Sequence, residues 1–213
     1  MSAPFDPRVL RLYAIVDEEF LGGKEGLLEP AEALLKGGAT SLQLRAKKAS
    51  GKQFYEWARE LRSLTRRYGV PLWINDRVDV ALAVDADGVH VGEEDLPLPE
   101  VVSLMKGRGW VGFSPAGVER ARWAQEVGAH YLGVGPIFAT RSKADAGEAM
   151  GLEGLRRVVD AVSIPVVAIG GLQQAHVREV LRQGAAGAAF ISALLGSSDI
   201  EGATRAMKEA MDP

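Results

Sequence analysis

FYEWARELRSLTRRYGVPLWINDR, residues 54–77, joins two patterns in a single stretch. Phe54, Trp57, Ala58, Leu61 and Leu64 recur at three- and four-residue steps, which predicts a helix with one apolar face. The run Pro71-Leu72-Trp73-Ile74 follows, short and apolar throughout, as a strand buried on both faces should be. It gives way at once to Asn75-Asp76-Arg77, and Asn75 is the only asparagine in the chain. A helix, a short buried strand and a polar strand end form one αβ step.

The same step recurs in both directions. Eight short apolar runs can be read: Leu12–Val16, Ser41–Leu44, Leu72–Ile74, Gly88–Val91, Val111–Phe113, Tyr131–Phe138, Val166–Ile169 and Ala188–Ile191. Val118–Val127 and Gly154–Val162 carry helical periodicity between them, and Pro97 and Pro99 suit a helix start. Gly38-Ala39, Gly128-Ala129 and Gly184-Ala185 each close a helical segment, where glycine fits a left-handed cap; Ala86-Asp87-Gly88 looks similar. Strands alternating with helices imply right-handed parallel βαβ units. Eight such units in 213 residues predict a single-domain (β/α)8 TIM barrel spanning residues 1–213. The alternative, an open doubly wound sheet, lacks a Gly-rich dinucleotide fingerprint after its first strand.

Bulk composition narrows the function. A hydrophobic fraction of 47% provides a substantial core, and a net charge of −3 supplies no basic field for nucleic acid. The absence of cysteine excludes disulfides, thiolate catalysis and Cys-ligated metals. Residues 1–10 lack a signal-peptide pattern, and no run approaches the ~20 apolar residues of a membrane span, so a cytoplasmic protein without a membrane partner is expected. The sequence leaves homo-oligomerisation open.

In a barrel the active site lies at the C-terminal strand ends. Those ends carry Asp17; Gln43, Arg45 and Lys47; Asn75 and Asp76; Asp95; Ser114; Thr140, Ser142 and Lys143; Gly170-Gly171; and Ile191-Ser192. Asp76 and Asp95 make a plausible Mg²⁺ pair, since Mg²⁺ takes oxygen ligands and shares itself with substrate phosphates. Arg45, Lys47 and Lys143 beside such a metal suit a diphosphate; Gly171 and Ser192 suit a second phosphate, with Thr140 and Ser142 adding hydroxyls. Each signal also has a plainer reading. Asp76 and Arg77 could cap a helix, Glu93-Glu94-Asp95 could be a solvated turn, and Gly170-Gly171 could simply turn the chain. Their joint placement at one barrel end favours the site. His90, His130 and His176 have neither triad nor metal spacing and read as structural, and the four tryptophans as core or interface.

From Leu12 to about Leu195 the chain resembles the thiamine-phosphate synthase family. The motifs are Leu12–Asp17, Gln43–Lys47, Asn75–Ala81, Gly88–Asp95, Gly133–Phe138 with Thr140–Lys143, Ala168–Gly171 and Ser192-Ala193. The resemblance implies an enzyme for two small phosphorylated substrates, an aminopyrimidine diphosphate and a thiazole phosphate. Gln43, Arg45, Lys47, Asn75 and Lys143 would bind the diphosphate substrate, and Asp76 and Asp95 would hold Mg²⁺. Ser114 would contact the pyrimidine. Thr140, Ser142, Gly171, Ile191 and Ser192 would hold the thiazole phosphate, and Arg45, Lys47, Ser114 and Lys143 would act in catalysis. Two departures stand out: Ser142 replaces the usual second threonine, and Ala116 stands where relatives commonly have histidine. The related TenI-like thiazole tautomerases have a proposed acid/base histidine near that position, so its absence, with Asp95 and Lys143 retained, favours the synthase over the isomerase or a non-catalytic thiazole-phosphate binder. The segment from Thr140 to Gly147 has a composition that permits a closing loop.

Overall fold

The computed structural model describes residues 4–22, 26–140 and 148–212. Its eight strands are β1 (Leu12–Asp17), β2 (Ser41–Arg45), β3 (Leu72–Asn75), β4 (Gly88–Val91), β5 (Trp110–Phe113), β6 (Tyr131–Val134), β7 (Val166–Ile169) and β8 (Gly187–Phe190). All pair in parallel and in chain order, and β8 returns to β1 to close the barrel. Around it lie α1 (Leu28–Lys36), α2 (Gly51–Tyr68), α3 (Val78–Ala83), α4 (Leu98–Met105), α5 (Val118–Val127), α6 (Gly151–Ala161), α7 (Val177–Arg182), α8 (Ser192–Leu195) and α9 (Ile200–Met211). None of the described helices is long and apolar enough to cross a membrane.

The stretch quoted above forms α2, a tight turn and β3. Ser50 caps α2 by accepting the Gln53 N–H, and Gly69 ends it with a left-handed φ of 66°. Phe54, Ala58, Leu61 and Leu64 are buried on its inner face. Arg62 of α2 pairs with Asp87, whose carboxylate also accepts the Leu72 N–H at 2.8 Å. One carboxylate thus ties the helix to the start of β3.

Glycines 38, 128 and 184 all take positive φ where their helices end. The fourth expected cap is different. Asp85 takes the left-handed turn with φ 53°, and Gly88 lies inside β4. A Cβ on Gly88 would sit 2.3 Å from the Trp73 ring, so its role is to admit that ring into the barrel. The sixth run is also shorter than expected, ending at Val134 rather than Phe138. Pro136 has no N–H to continue the ladder; beyond it, Ile137 and Phe138 donate to the carbonyls of Ile169 and Gly170. The helix expected over 154–162 runs from Gly151 to Ala161.

Alternation within each strand sends every second side chain inward. Tyr13, Gln43, Trp73, His90 and Tyr131 fill the barrel, with Trp73 donating to Ser41 at 3.1 Å. Phe5 packs its ring against Trp73, Trp110, His130 and Tyr131 before the chain enters β1. That aromatic cluster closes the N-terminal end, which leaves the opposite mouth for chemistry.

Candidate active site

A cavity of about 580 Å³ opens at the C-terminal ends of the strands. Arg45, Lys47, Asn75, Asp76, Asp95, Ser114, Thr140, Gly171, Ile191 and Ser192 line it. Gln43 lies one layer deeper, in a small cavity beneath this mouth, and donates to the Tyr13 hydroxyl at 2.9 Å. Ser142, Lys143 and the remainder of the expected closing loop fall outside the described residues.

On one wall, Asp17 and Arg45 form a buried ion pair at 2.6 Å. Glu19 stands 3.5 Å from the same guanidinium and 2.6 Å from Lys48. These carboxylates hold the Arg45 head in a fixed orientation at the floor of the cavity. Lys47, more exposed, reaches within 3.8 Å of Asp76.

Asp76 is held by its backbone. Its φ is 63°, unusual for a side chain other than glycine, and its N–H donates to the His90 carbonyl at 2.9 Å while Arg77 N–H donates to the Asn75 carbonyl. Asp95 is fixed by the Gly92 N–H at 2.7 Å. The two carboxyl groups face each other. Burial chiefly, then the Asp95 charge and a hydrogen bond between the two, pushes Asp76 up to about 7, against the opposing pull of Lys47 and Arg45. Two crowded carboxylates call for a cation. No group of three or more His, Cys, Asp or Glu side chains poised for a metal exists among the described residues. A pair alone fits Mg²⁺, which keeps several waters and takes phosphate oxygens as ligands.

The acidic turn is not simply solvated. Glu93 binds Arg120 through two nitrogens and accepts the Ala116 N–H at 3.0 Å, and Arg120 stacks over Trp123 at 3.7 Å. This clamp joins the loop after β4 to the loop after β5, and its carboxylate is held below its ordinary pKa mainly by Arg120. Ala116 itself lines the cavity, so a histidine there would face into it.

On the far wall, Gly170 and Gly171 take φ of 94° and 68°. A Cβ would lie 2.6 Å from Pro136 at the first and 2.6 Å from the Phe138 carbonyl at the second. Only glycine lets the backbone turn here, and Gly170 and Gly171 line the cavity together with Ser192, where α8 begins. The cations Arg45 and Lys47 and the glycine turn at Gly170-Gly171 thus line the same mouth.

His90, read from the sequence as structural, is hydrogen-bonded inside the barrel and also borders its mouth. It lines the cavity, with Nε2 2.8 Å from Ser114 Oγ and Nδ1 2.8 Å from Tyr131 OH. Strand alternation places His90 on the same inward face as Gly88, and that pattern marks it.

The chain matches the family model described as thiamine monophosphate synthase over residues 12–194. It is 48% identical over 198 residues to a thiamine-phosphate synthase of Syntrophomonas wolfei, covering 93% of this chain and 94% of the relative. A thiamine-phosphate synthase of Chloroflexus aurantiacus is 50% identical over 198 residues, covering 93% and 91%. Among solved structures, thiamine phosphate pyrophosphorylase from Pyrococcus furiosus superposes with a TM-score of 0.88 at 42% identity, covering 96% of each chain.

Proposed function

The chain belongs to the thiamine monophosphate synthase family, and from that premise we propose that it joins an aminopyrimidine methyl diphosphate to a hydroxyethylthiazole phosphate, giving thiamine monophosphate and pyrophosphate. One observation carries the reading beyond the family match. The cavity sets a paired-carboxylate and cation wall, Asp76, Asp95, Arg45 and Lys47, opposite a glycine and helix-start wall at Gly171 and Ser192. One wall suits a diphosphate with a divalent cation, and the other suits a monophosphate.

Asp76 and Asp95 would hold Mg²⁺, which when bound supplies charge neutralisation for a departing diphosphate. Arg45 and Lys47, with Lys143 of the same motif set, would bind the diphosphate oxygens and stabilise the charge that grows as the carbon–oxygen bond breaks. Gln43 and Asn75 would complete the diphosphate substrate's site, and Ser114 would hold the pyrimidine ring. Thr140, Ser142, Gly171, Ile191 and Ser192 would fix the thiazole phosphate, so that the ring nitrogen faces the methylene carbon. Departure of pyrophosphate leaves a pyrimidinylmethyl cation, and the nitrogen lone pair forms the new carbon–nitrogen bond. No side-chain nucleophile is needed, and positioning contributes much of the acceleration.

The reading is tested by supplying each substrate alone and both together, following pyrophosphate and thiamine monophosphate. Stoichiometric appearance of both products only with both substrates is expected. A folded protein that yields neither from intact substrates would overturn the synthase reading.

A further inference from the structure

Four hydrogen bonds inside the barrel follow one another: Gln43 Nε2 to Tyr13 OH at 2.9 Å, Tyr13 OH to Tyr131 OH at 2.9 Å, Tyr131 OH to His90 Nδ1 at 2.8 Å, and His90 Nε2 to Ser114 Oγ at 2.8 Å. This line crosses from β1 and β2 through β6 and β4 to the end of β5. Tyr13 and Tyr131 are both 2% exposed, so water is not a ready partner for either hydroxyl. Burial raises the pKa of both phenols well above the ordinary value, which keeps each proton in place.

Each phenol has one proton to give. Tyr13 already accepts from the Gln43 amide, so its own proton is satisfied only by donation to Tyr131. Tyr131, having accepted, is satisfied only by donating to His90 Nδ1. A neutral imidazole that accepts at Nδ1 carries its proton at Nε2, and that proton faces Ser114 Oγ. Ser114 then accepts from His90 and keeps its own proton for the cavity.

We propose that this line is a directed relay in which Gln43, Tyr13 and Tyr131 fix His90 as its Nε2–H tautomer, and His90 in turn fixes Ser114 as a hydrogen-bond donor toward the substrate. His90 and Tyr131 are positioning residues. Resting on the synthase reading, the partner of Ser114 is an atom with a lone pair, a pyrimidine ring nitrogen, rather than the ring's amino group.

The barrel is shaped around the relay. A Cβ on Gly112 would lie 2.3 Å from the Tyr131 ring and 2.5 Å from His90 Nδ1; one on Gly133 would lie 2.9 Å from the His90 ring and 3.3 Å from Ser114 Oγ. Two glycines on neighbouring strands therefore vacate the space through which the line passes.

Nitrogen NMR of ¹⁵N-histidine-labelled, ligand-free protein decides the direction. His130 and His176 act as internal standards, because each accepts a backbone N–H at Nδ1 and is Nε2–H when neutral. His90 is expected to match them. An Nδ1–H signal would overturn the relay, since that direction needs the Gln43 carbonyl rather than its N–H on Tyr13. Ser114→Ala, a change at a strand end, should leave the His90 tautomer as it is; a switch to Nδ1–H would also overturn the proposal. Tyr131→Phe should mix the two tautomers and raise KM for the pyrimidine diphosphate about five- to tenfold, the value of one neutral hydrogen bond, with KM for the thiazole phosphate unchanged. A purely structural Tyr131 would lower stability and leave both KM values alone, which would refute its positioning role. If wild-type protein makes no thiamine monophosphate, the synthase reading and the pyrimidine assignment fall together, while the tautomer still decides the relay.

Discussion

At the scale of single residues, charge placement matters most at Asp76. Its carboxyl is pushed up to about 7, chiefly by burial and then by Asp95. The folded chain therefore holds a proton that the unfolded chain releases near pH ~4, so this group's contribution lowers stability as pH rises from about 4 to about 7. Asp76→Asn is expected to flatten that interval, bringing melting temperatures at about pH 5 and about pH 8 closer by a few degrees. An unchanged pH profile would contradict the assignment. Mg²⁺ should stabilise the wild type more at the higher pH, where both carboxylates are available. Arg45 carries a second, different prediction. Its partner Asp17 is fully buried, so Arg45→Ala leaves a lone buried carboxylate and is expected to cost about 3–5 kcal/mol in urea denaturation, beyond its effect on turnover.

At the scale of elements, the strands alternate inward and outward residues, and β1, β2, β3 and β5 end in or run directly into polar ones, Asp17, Arg45, Asn75 and Ser114. The order of helices and strands was legible because apolar period and glycine punctuation agree, as at Phe54–Leu64 and Gly128. Boundaries were less so. The sixth run reads as apolar through Phe138, yet Pro136 takes the chain off the ladder at Val134. Gly88 resembles a cap by neighbourhood, but its use depends on Trp73, fifteen positions earlier. The mouth's charged residues were legible because they follow apolar runs directly. Tyr13, Tyr131 and His90 were not recognised as a connected group, since their partners come from different strands and local spacing does not encode them. Gly171 offers a test at this scale. Gly171→Ala would bring a Cβ 2.6 Å from the Phe138 carbonyl at a left-handed φ, displacing the amides of this turn. Steady-state kinetics should show KM for the thiazole phosphate rising about tenfold or more, with a smaller change for the pyrimidine diphosphate. Equal changes for both would contradict the separation into two walls.

For the molecule as a whole, closure is what brings residues 17, 45, 76, 95, 114, 171 and 192 to one mouth. The seam between β8 and β1 is tight: a Cβ on Gly187 would lie 1.9 Å from the Leu10 carbonyl. Gly187→Ala is therefore expected to lower stability by about 2–4 kcal/mol, read from chemical denaturation, despite its distance from the cavity. A wild-type-like midpoint would show that the seam yields more easily than its packing implies. With the ring closed and its N-terminal end filled by aromatic side chains, the cavity opens at the other end, and the proposed function centres on the carboxylate pair there. The most direct test is thiamine monophosphate formation from both substrates, with Mg²⁺ titrated against EDTA. Product that tracks free Mg²⁺, and is lost in Asp76→Ala without loss of fold, is the expected result. Turnover that persists in excess EDTA, or an Asp76→Ala protein as active as wild type, would contradict a metal-assisted diphosphate departure at this pair.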